Sequence, residues 1–407
     1  MRWRAFGGLP AVVWLLGFAS LANDISSEAL FPLLPLFLAE LGGGVRTLGL
    51  VEGAADAVAA VTKVLAGRLS DRGPRRLLVV GGYALPAFAR AGIAAALAPW
   101  QVLAGRVTDR IGKGIRSGPR DALLADAAPP GEAGRAFGLQ RSMDHLGAAL
   151  GPLLAAGLLA AGVSLRVTFA IAAAVGLVAP ALLAMRLREP AATPAAPSPP
   201  TPTATATATA VAVAAGAVPA RLPGSLRGYI VLAALFALAN STDAFLLVRA
   251  REVGFSASAI PLLWFLHHLV KTLAGLPGGA LSDRVPRAAV VAAGWGAYAL
   301  AYLGFAHATA PWQVAVLFAF YALYHGLAEG AERALVSDLA PRGLRGRAFG
   351  WYHGAAGVAA LPAGLLTGAL WEACGPRVAL SACAALAAAA ALLLAASPLA
   401  RRRHPAA

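Results

Sequence analysis

Residues Ala122–Gly138, ALLADAAPPGEAGRAFG, align without gaps on Ala334–Gly350, ALVSDLAPRGLRGRAFG, 212 positions later. The same offset carries APWQV (Ala98–Val102) onto APWQV (Ala310–Val314), and GRLSDRGPR (Gly67–Arg75) onto GALSDRVPR (Gly279–Arg287). Three matches in one register make the chain two copies of a single unit, so any fold it adopts must be built twice.

The unit is a membrane unit. Charged residues are 13% of the chain against about a quarter in soluble domains, hydrophobic residues are 59%, and mean hydropathy is +0.69. Apolar stretches of about 20 residues match helices crossing roughly 30 Å of hydrocarbon, and the absence of strand alternation argues against a barrel. Twelve spans are expected near Pro10–Leu38, Leu48–Gly67, Leu77–Leu97, Gln101–Ala125, Ala136–Ala161, Val167–Met185, Tyr229–Val248, Ala259–Leu281, Ala288–Phe305, Gln313–Leu335, Ala348–Leu370 and Val378–Leu399. We number them spans 1 to 12. The expected fold is an all-α membrane protein of two six-helix bundles, 1–188 and 226–400. Between them, 189–225 is a Pro/Ala/Thr-rich cytoplasmic tether, and 401–407 is a basic cytoplasmic tail.

A net charge of +15 suggests nucleic acid, but its placement argues otherwise. With the N-terminus inside, nineteen of the 34 Lys and Arg fall on the cytoplasmic side and five outside, which is the positive-inside asymmetry. Anionic inner-leaflet lipid is the expected partner of those loops, not nucleic acid. Span 1 is too long for a cleavable signal and contains Asp24 and Glu28. Cys374 and Cys383 have no metal-ligand or redox spacing. Arginine outnumbers lysine 31 to 3, a codon signature of a GC-rich bacterium, so the expected location is a bacterial inner membrane with both termini cytoplasmic.

Charges inside spans follow a rule of three. Spans 3, 6, 9 and 12 carry only Arg90, whereas span 1 has Asp24 and Glu28, span 4 has seven charges, span 7 has Asp243, and span 10 has Glu329, Glu332 and Arg333. A charge at mid-bilayer costs about 2.5–3.5 kcal/mol even on the insertion scale. Charged spans must therefore face protein or water, while every third span is free to face lipid.

GRLSDRGPRR between spans 2 and 3 resembles the cytoplasmic loop signature of the major facilitator superfamily, G-x-L-a-D-r-x-G-r-[RK], with Gly67, Asp71, Arg72 and Arg75 in register. The second copy keeps Asp283 and Arg284 but has Val285 where glycine is usual. Gly147-x-x-x-Gly151-Pro152 in span 5 is similar to the helix-bend motif associated with proton-coupled exporters. The resemblance covers all but the tether and tails. It implies two bundles related by a pseudo-two-fold axis along the membrane normal, a binding site between them near the midplane, and alternating access. It also implies a small-molecule substrate, protons as coupling ion, and function as a monomer.

The charged residues suggest specific roles. At the end of span 2, Asp71 can pair with Arg on span 4 and with the N-terminus of span 11, forming a cytoplasmic latch; the alternative is a loop serving only topology. On span 4, Arg106, Asp109, Lys113, Arg116 and Arg120 recur at three- and four-residue steps and share a face. That stripe reads either as an anion-attracting wall of a cavity or as an internal salt-bridge network. Arg106 and Lys113 are the better contact candidates, Arg116 and Arg120 the better gate residues. Burial disfavours a charged carboxylate, which suits Asp24, with Glu28, Asp144 and Asp243 behind it, to carrying a proton; the alternative for Asp24 is a bond to span 4 or 5. Arg141, His145 and Glu329 complete the cavity candidates. No catalytic triad, metal cluster, cofactor motif or phosphate-cradling loop is legible, which sets enzymatic chemistry and direct ATP coupling aside.

Three functional readings follow. The leading one is a secondary transporter driving proton-coupled efflux of small molecules. The second is an importer or exchanger of an anionic metabolite held by the span 4 cations. The third, a non-transporting sensor or assembly partner, has no appended signalling domain to support it. If the latch is real, Asp71→Asn inserts normally in the membrane but loses transport; normal transport by a correctly inserted variant removes the latch.

Overall fold

The structure, a computed structural model, describes residues 9–70, 75–127, 133–187, 222–340 and 345–401. Residues 189–221 of the proposed tether and the latch residues Asp71 and Arg72 lie outside them, and the tether's last residues, Gly224 and Ser225, already belong to a helix. All twelve spans are present as helices, and span boundaries agree with the apolar stretches to within a few residues.

Span 1 is Ala11–Leu30, a 3-10 turn Phe31–Leu33, and Leu34–Glu40. The turn sits where Pro32 and Pro35 withhold backbone donors. Spans 2 to 6 are Val45–Ser70, Arg75–Ala94, Pro99–Ala127, Ala133–Ala160 and Leu165–Arg186. Span 7 is broken into Gly224–Ala239 and Ala244–Glu252. Spans 8 to 10 are Ile260–Arg284, Arg287–His307 and Pro311–Leu339, and spans 11 and 12 run through Arg345–Ala396 with a turn at Gly375, where φ is 83°.

The repeated APWQV has a local explanation. Proline occupies the first helical position of spans 4 and 10, where no donor is needed. The glutamine oxygen then accepts the backbone N–H groups just outside the helix: Gln101 from Ala98 at 3.1 Å, and Gln313 from Thr309 at 2.8 Å and Ala310 at 3.1 Å. The five residues are a helix-start device used once per copy.

Spans 1–6 and 7–12 form two bundles. Leu77 and Phe88 on span 3, Met185 on span 6, Leu300 on span 9 and Leu392 on span 12 are exposed, and so are Val61 on span 2, Leu146 on span 5, Leu273 on span 8 and Val358 on span 11. Arg90, the one charge within the apolar stretches of spans 3, 6, 9 and 12, is buried and turned inward. Spans 5 and 8 and spans 2 and 11 carry the contact between bundles.

The span 2–span 11 seam is built from small residues. A Cβ on Gly49 would fall 2.1 Å from the Gly364 carbonyl oxygen, and one on Gly364 would fall 2.3 Å from that of Gly49. Only glycine allows this backbone approach. Nearby, Glu372 Oε1 accepts the Arg46 backbone N–H at 2.9 Å, and Trp371 Nε1 donates to Glu252 at 3.1 Å. These contacts close the face where span 1 ends, which we call the far face. Gly364→Ala should therefore pry spans 2 and 11 apart. Spin labels placed at the far ends of those spans should report a longer mean distance than in the unsubstituted protein, and an unchanged distance would contradict the seam.

Candidate functional site

Span 4 organises the first bundle through buried ion pairs. Arg106, 2% exposed, meets Glu52 of span 2, 1% exposed, with both Nε–Oε1 at 2.7 Å and Nη2–Oε2 at 2.8 Å. One turn on, Asp109 accepts Arg90 Nε of span 3 at 2.9 Å and lies 3.8 Å from Arg106. The Arg90 guanidinium then reaches span 1, donating to Ser26 Oγ at 2.9 Å and to the carbonyl and side-chain oxygens of Asn23 at 3.2 Å. Arg116 continues the stripe, 4.4 Å above the Tyr83 ring and 3.3 Å from the Gly82 carbonyl. Each carboxylate is held by fork-shaped arginine donors, so four spans are joined through charges that hydrocarbon would not tolerate singly.

Between the bundles lies a cavity of about 280 Å³. Its walls are polar. The first bundle contributes Glu28, Asp56, Arg110 and Lys113, and the second contributes Asp243 and His325. Arg110 is tethered by Asp56 at 3.5 Å and Glu52 at 4.0 Å. Glu28 bridges the halves: Trp264 Nε1 of span 8 donates to it at 2.8 Å, and His268 Nε2 stands 3.6 Å away, an ion pair only when that imidazole is protonated.

The break in span 7 faces this cavity. Asn240, Ser241, Thr242 and Asp243 lie between the two helices and line the wall, while Tyr298 donates to the Ala239 carbonyl at 2.9 Å. Irregular backbone at membrane depth is tolerated only where protein or a cavity covers it. The sequence expectation was one continuous helix there. The run Asn-Ser-Thr-Asp, whose side chains compete for backbone partners, was the signal that marked the interruption.

The remaining candidates separate by location. Asp24 is half-buried and accepts Asn23 Nδ2 at 2.8 Å; the sequence alternative of a bond to span 4 or 5 is not the contact it makes here. Asp144 accepts Gln140 at 2.7 Å and lies 3.9 Å from Arg141, and both Arg141 and His145 are exposed. Glu329 joins Lys271 at 3.1 Å and Arg333 at 2.6 Å. Arg75 pairs with Asp126 at 2.5 Å, and Arg120 with Asp121 at 2.9 Å. Gly67, Asp283 and Arg284 lie on helix ends whose side chains are outside the described residues. In span 5, Cβ atoms at Gly147 and Gly151 would fall 2.7 and 2.6 Å from the Leu21 and Ile25 carbonyls of span 1, and Pro152 sits inside a helix that continues to Ala160. His267 and His325 were not bound into any motif by spacing. Their ligating atoms and those of Asp243 nevertheless lie within 4.8 Å of one another.

Comparison with known proteins gives a consistent result. The sequence profile of the Major Facilitator Superfamily matches residues 16–248 and 229–407. MJ1317, an MFS-type transporter of Methanocaldococcus jannaschii, is 31% identical over 368 residues, 88% of each chain. The multidrug resistance protein MdtH of Photorhabdus laumondii is 29% identical over 147 residues, 36% of this chain and 37% of its own. Among solved structures, a bacterial homolog of the human lysosomal transporter Spinster, inward-facing and unoccupied, superimposes with a TM-score of 0.77 at 18% identity, covering 97% of this chain and 98% of that one. A POT family transporter with a bound thioalcohol-conjugated peptide gives 0.76 at 12% identity, covering 96% of each.

The Arg106–Glu52 pair makes a separable prediction. Arg106→Gln strands a buried carboxylate, a loss of about 3–5 kcal/mol, and should lower the melting temperature markedly. Replacing both, as Arg106→Met with Glu52→Leu, should recover much of the loss because no uncompensated charge remains. A single variant as stable as the parent would mean that the pair does not hold the bundle.

Proposed function

Because the chain belongs to the Major Facilitator Superfamily and is a membrane transporter rather than an enzyme, we propose that it exports small polar molecules in exchange for protons. The observation that carries this reading is the cavity between the bundles, walled by charges of both signs from both halves. A compact, polar cavity of this kind favours a small hydrogen-bonding solute over a large apolar one, since drug-sized ligands ordinarily occupy mostly apolar pockets. The resemblance of part of the chain to MdtH supports export as the direction. We place the protein in a bacterial inner membrane with both termini in the cytoplasm and the monomer as the working unit.

In this mechanism Glu28 couples the bundles. Its bonds to Trp264 and toward His268 cross the interface, so rocking of one bundle against the other must remake them. Asp24 lies one turn away on the same span, against span 5, where Gly147 brings the two backbones together. A proton moving between Asp24, Glu28 and water in the cavity would change the charge at this interface, and Asp144 and Asp243 are the next acids within the two bundles.

The anion-exchange reading keeps a specific foothold in Lys113 and Arg110, which both line the cavity. Arg106 does not contribute to that wall, because Glu52 occupies its fork. A pH-sensitive dye inside proteoliposomes distinguishes the two readings: antiport moves protons against the substrate flow, whereas obligatory anion exchange leaves lumenal pH unchanged.

Asp24→Asn should abolish uphill transport driven by a proton gradient while preserving substrate binding; a variant that still concentrates substrate moves the coupling site elsewhere. Lys113→Gln should weaken an anionic substrate by about 1.5–3 kcal/mol, the scale of a hydrogen bond to a charged group, with no loss of melting temperature. Unchanged affinity for every anion tested would remove Lys113 from recognition.

A further inference from the structure

The second bundle contains a grouping of ligand atoms that neither charge pairing nor packing accounts for. Asp243 stands at the break in span 7, His267 on span 8 and His325 on span 10, and one ligand atom of each lies within 4.8 Å of the others. His267 is 2% exposed, and its Nδ1 is buried without a hydrogen-bond partner. Nε2 of His325 is likewise buried and unpartnered. Two unpartnered buried imidazole nitrogens next to one carboxylate is a costly arrangement unless something satisfies them, because a buried polar group without a partner forfeits its hydration.

The surroundings hold these side chains in a ligand-like arrangement. The His267 ring is stacked between Trp264 and Tyr321, at 5.0 and 5.3 Å between ring centroids. Tyr321 Oη donates to Asp243 Oδ1 at 2.5 Å, leaving the other carboxylate oxygen open. The two imidazole rings meet edge to face at 5.2 Å. A ring nitrogen or carboxylate held by an outer hydrogen bond is how metal ligands are usually fixed. Asp243 and His325 line the inter-bundle cavity, so an ion has a route to the site. Lys271, one turn from His267 on span 8, is engaged by Glu329 at 3.1 Å.

We propose that Asp243, His267 and His325 bind a divalent transition-metal ion on the second-bundle wall of the cavity. Two imidazoles and one carboxylate suit zinc, iron, cobalt or nickel, and disfavour magnesium and calcium, which take oxygen donors. Metal–ligand bonds of about 2.0–2.1 Å put neighbouring donors about 3.4 Å apart in tetrahedral geometry. The observed limit of 4.8 Å therefore requires modest rotamer closure, within reach of three side chains on separate spans. The claim concerns ion binding and is independent of the direction of transport and of proton carriage by Asp24 and Glu28.

Cobalt(II) is the probe, added to the purified full-length protein in detergent after removal of any affinity tag. One ion per chain should bind with the visible absorption of an imidazole-ligated, low-coordinate site, and zinc should displace it. His325→Ala and the isosteric Asp243→Asn should each weaken cobalt binding at least tenfold. Tyr321→Phe should weaken it by about 10–100-fold, the usual effect of losing an outer-shell partner, while the exposed His307→Ala should leave it unchanged. Gel filtration establishes that each variant is folded. Absence of saturable cobalt binding by the unsubstituted protein, or binding equally strong in folded His325→Ala and Asp243→Asn, overturns the site. Neither result bears on proton-coupled export, which the proteoliposome assay tests by itself.

Discussion

The bidentate contact between Arg106 and Glu52 is the interaction on which the first bundle depends. Span 4 carries more charge than a lipid-facing helix can, so its insertion requires partners supplied by neighbouring spans. Glu52 supplies one from span 2. Asp109 then recruits Arg90 from span 3, and Arg90 recruits Asn23 and Ser26 from span 1. Each link sets the rotation of one helix about its axis. Once those rotations are set, Arg110 and Lys113, further along span 4, line the cavity, while Arg106 and Asp109 are occupied by Glu52 and Arg90.

The second bundle solves the same packing problem with rings instead of ions. At the 212-residue offset, Glu52 corresponds to Trp264, Arg90 to Tyr302, Arg106 to Phe318, and Asp109 to Tyr321. Where Arg90 bonds Asp109, Tyr302 and Tyr321 pack at 5.9 Å between ring centroids. Tyr298 stacks on Tyr302 at 4.2 Å, and Phe236 on Trp295 at 4.5 Å. Aromatic pairs fill a helix interface without burying a formal charge. The two halves thus share a backbone plan but differ in chemistry, and Lys113 of one occupies the position of His325 in the other. A transporter that must recognise an asymmetric solute gains from walls that are not copies of each other.

This asymmetry also explains why the cavity is polar while most of the molecule is not. The first bundle places Glu28, Asp56, Arg110 and Lys113 on the cavity wall. The second bundle contributes an interrupted helix, whose polar residues and freed carbonyl need cover or solvent. The two meet across Glu28, which belongs to one bundle by sequence and bonds to the other through Trp264.

Hydropathy and the repeat were enough to establish the membrane class, the twelve spans and the six-plus-six organisation, because each is written in local composition. The span 4 stripe was legible too, as a helical period of three and four. Its partners were not. Arg106 and Glu52 are 54 positions apart, and a periodic stripe shows that charges share a face without showing what that face meets. The sequence left Arg106 open between substrate contact and ion network; the fold gives it Glu52. The break in span 7 and the gathering of Asp243, His267 and His325 lay beyond spacing for the same reason. They arise from how three helices rotate and cross once packed, and that choice is made by contacts distant in the chain.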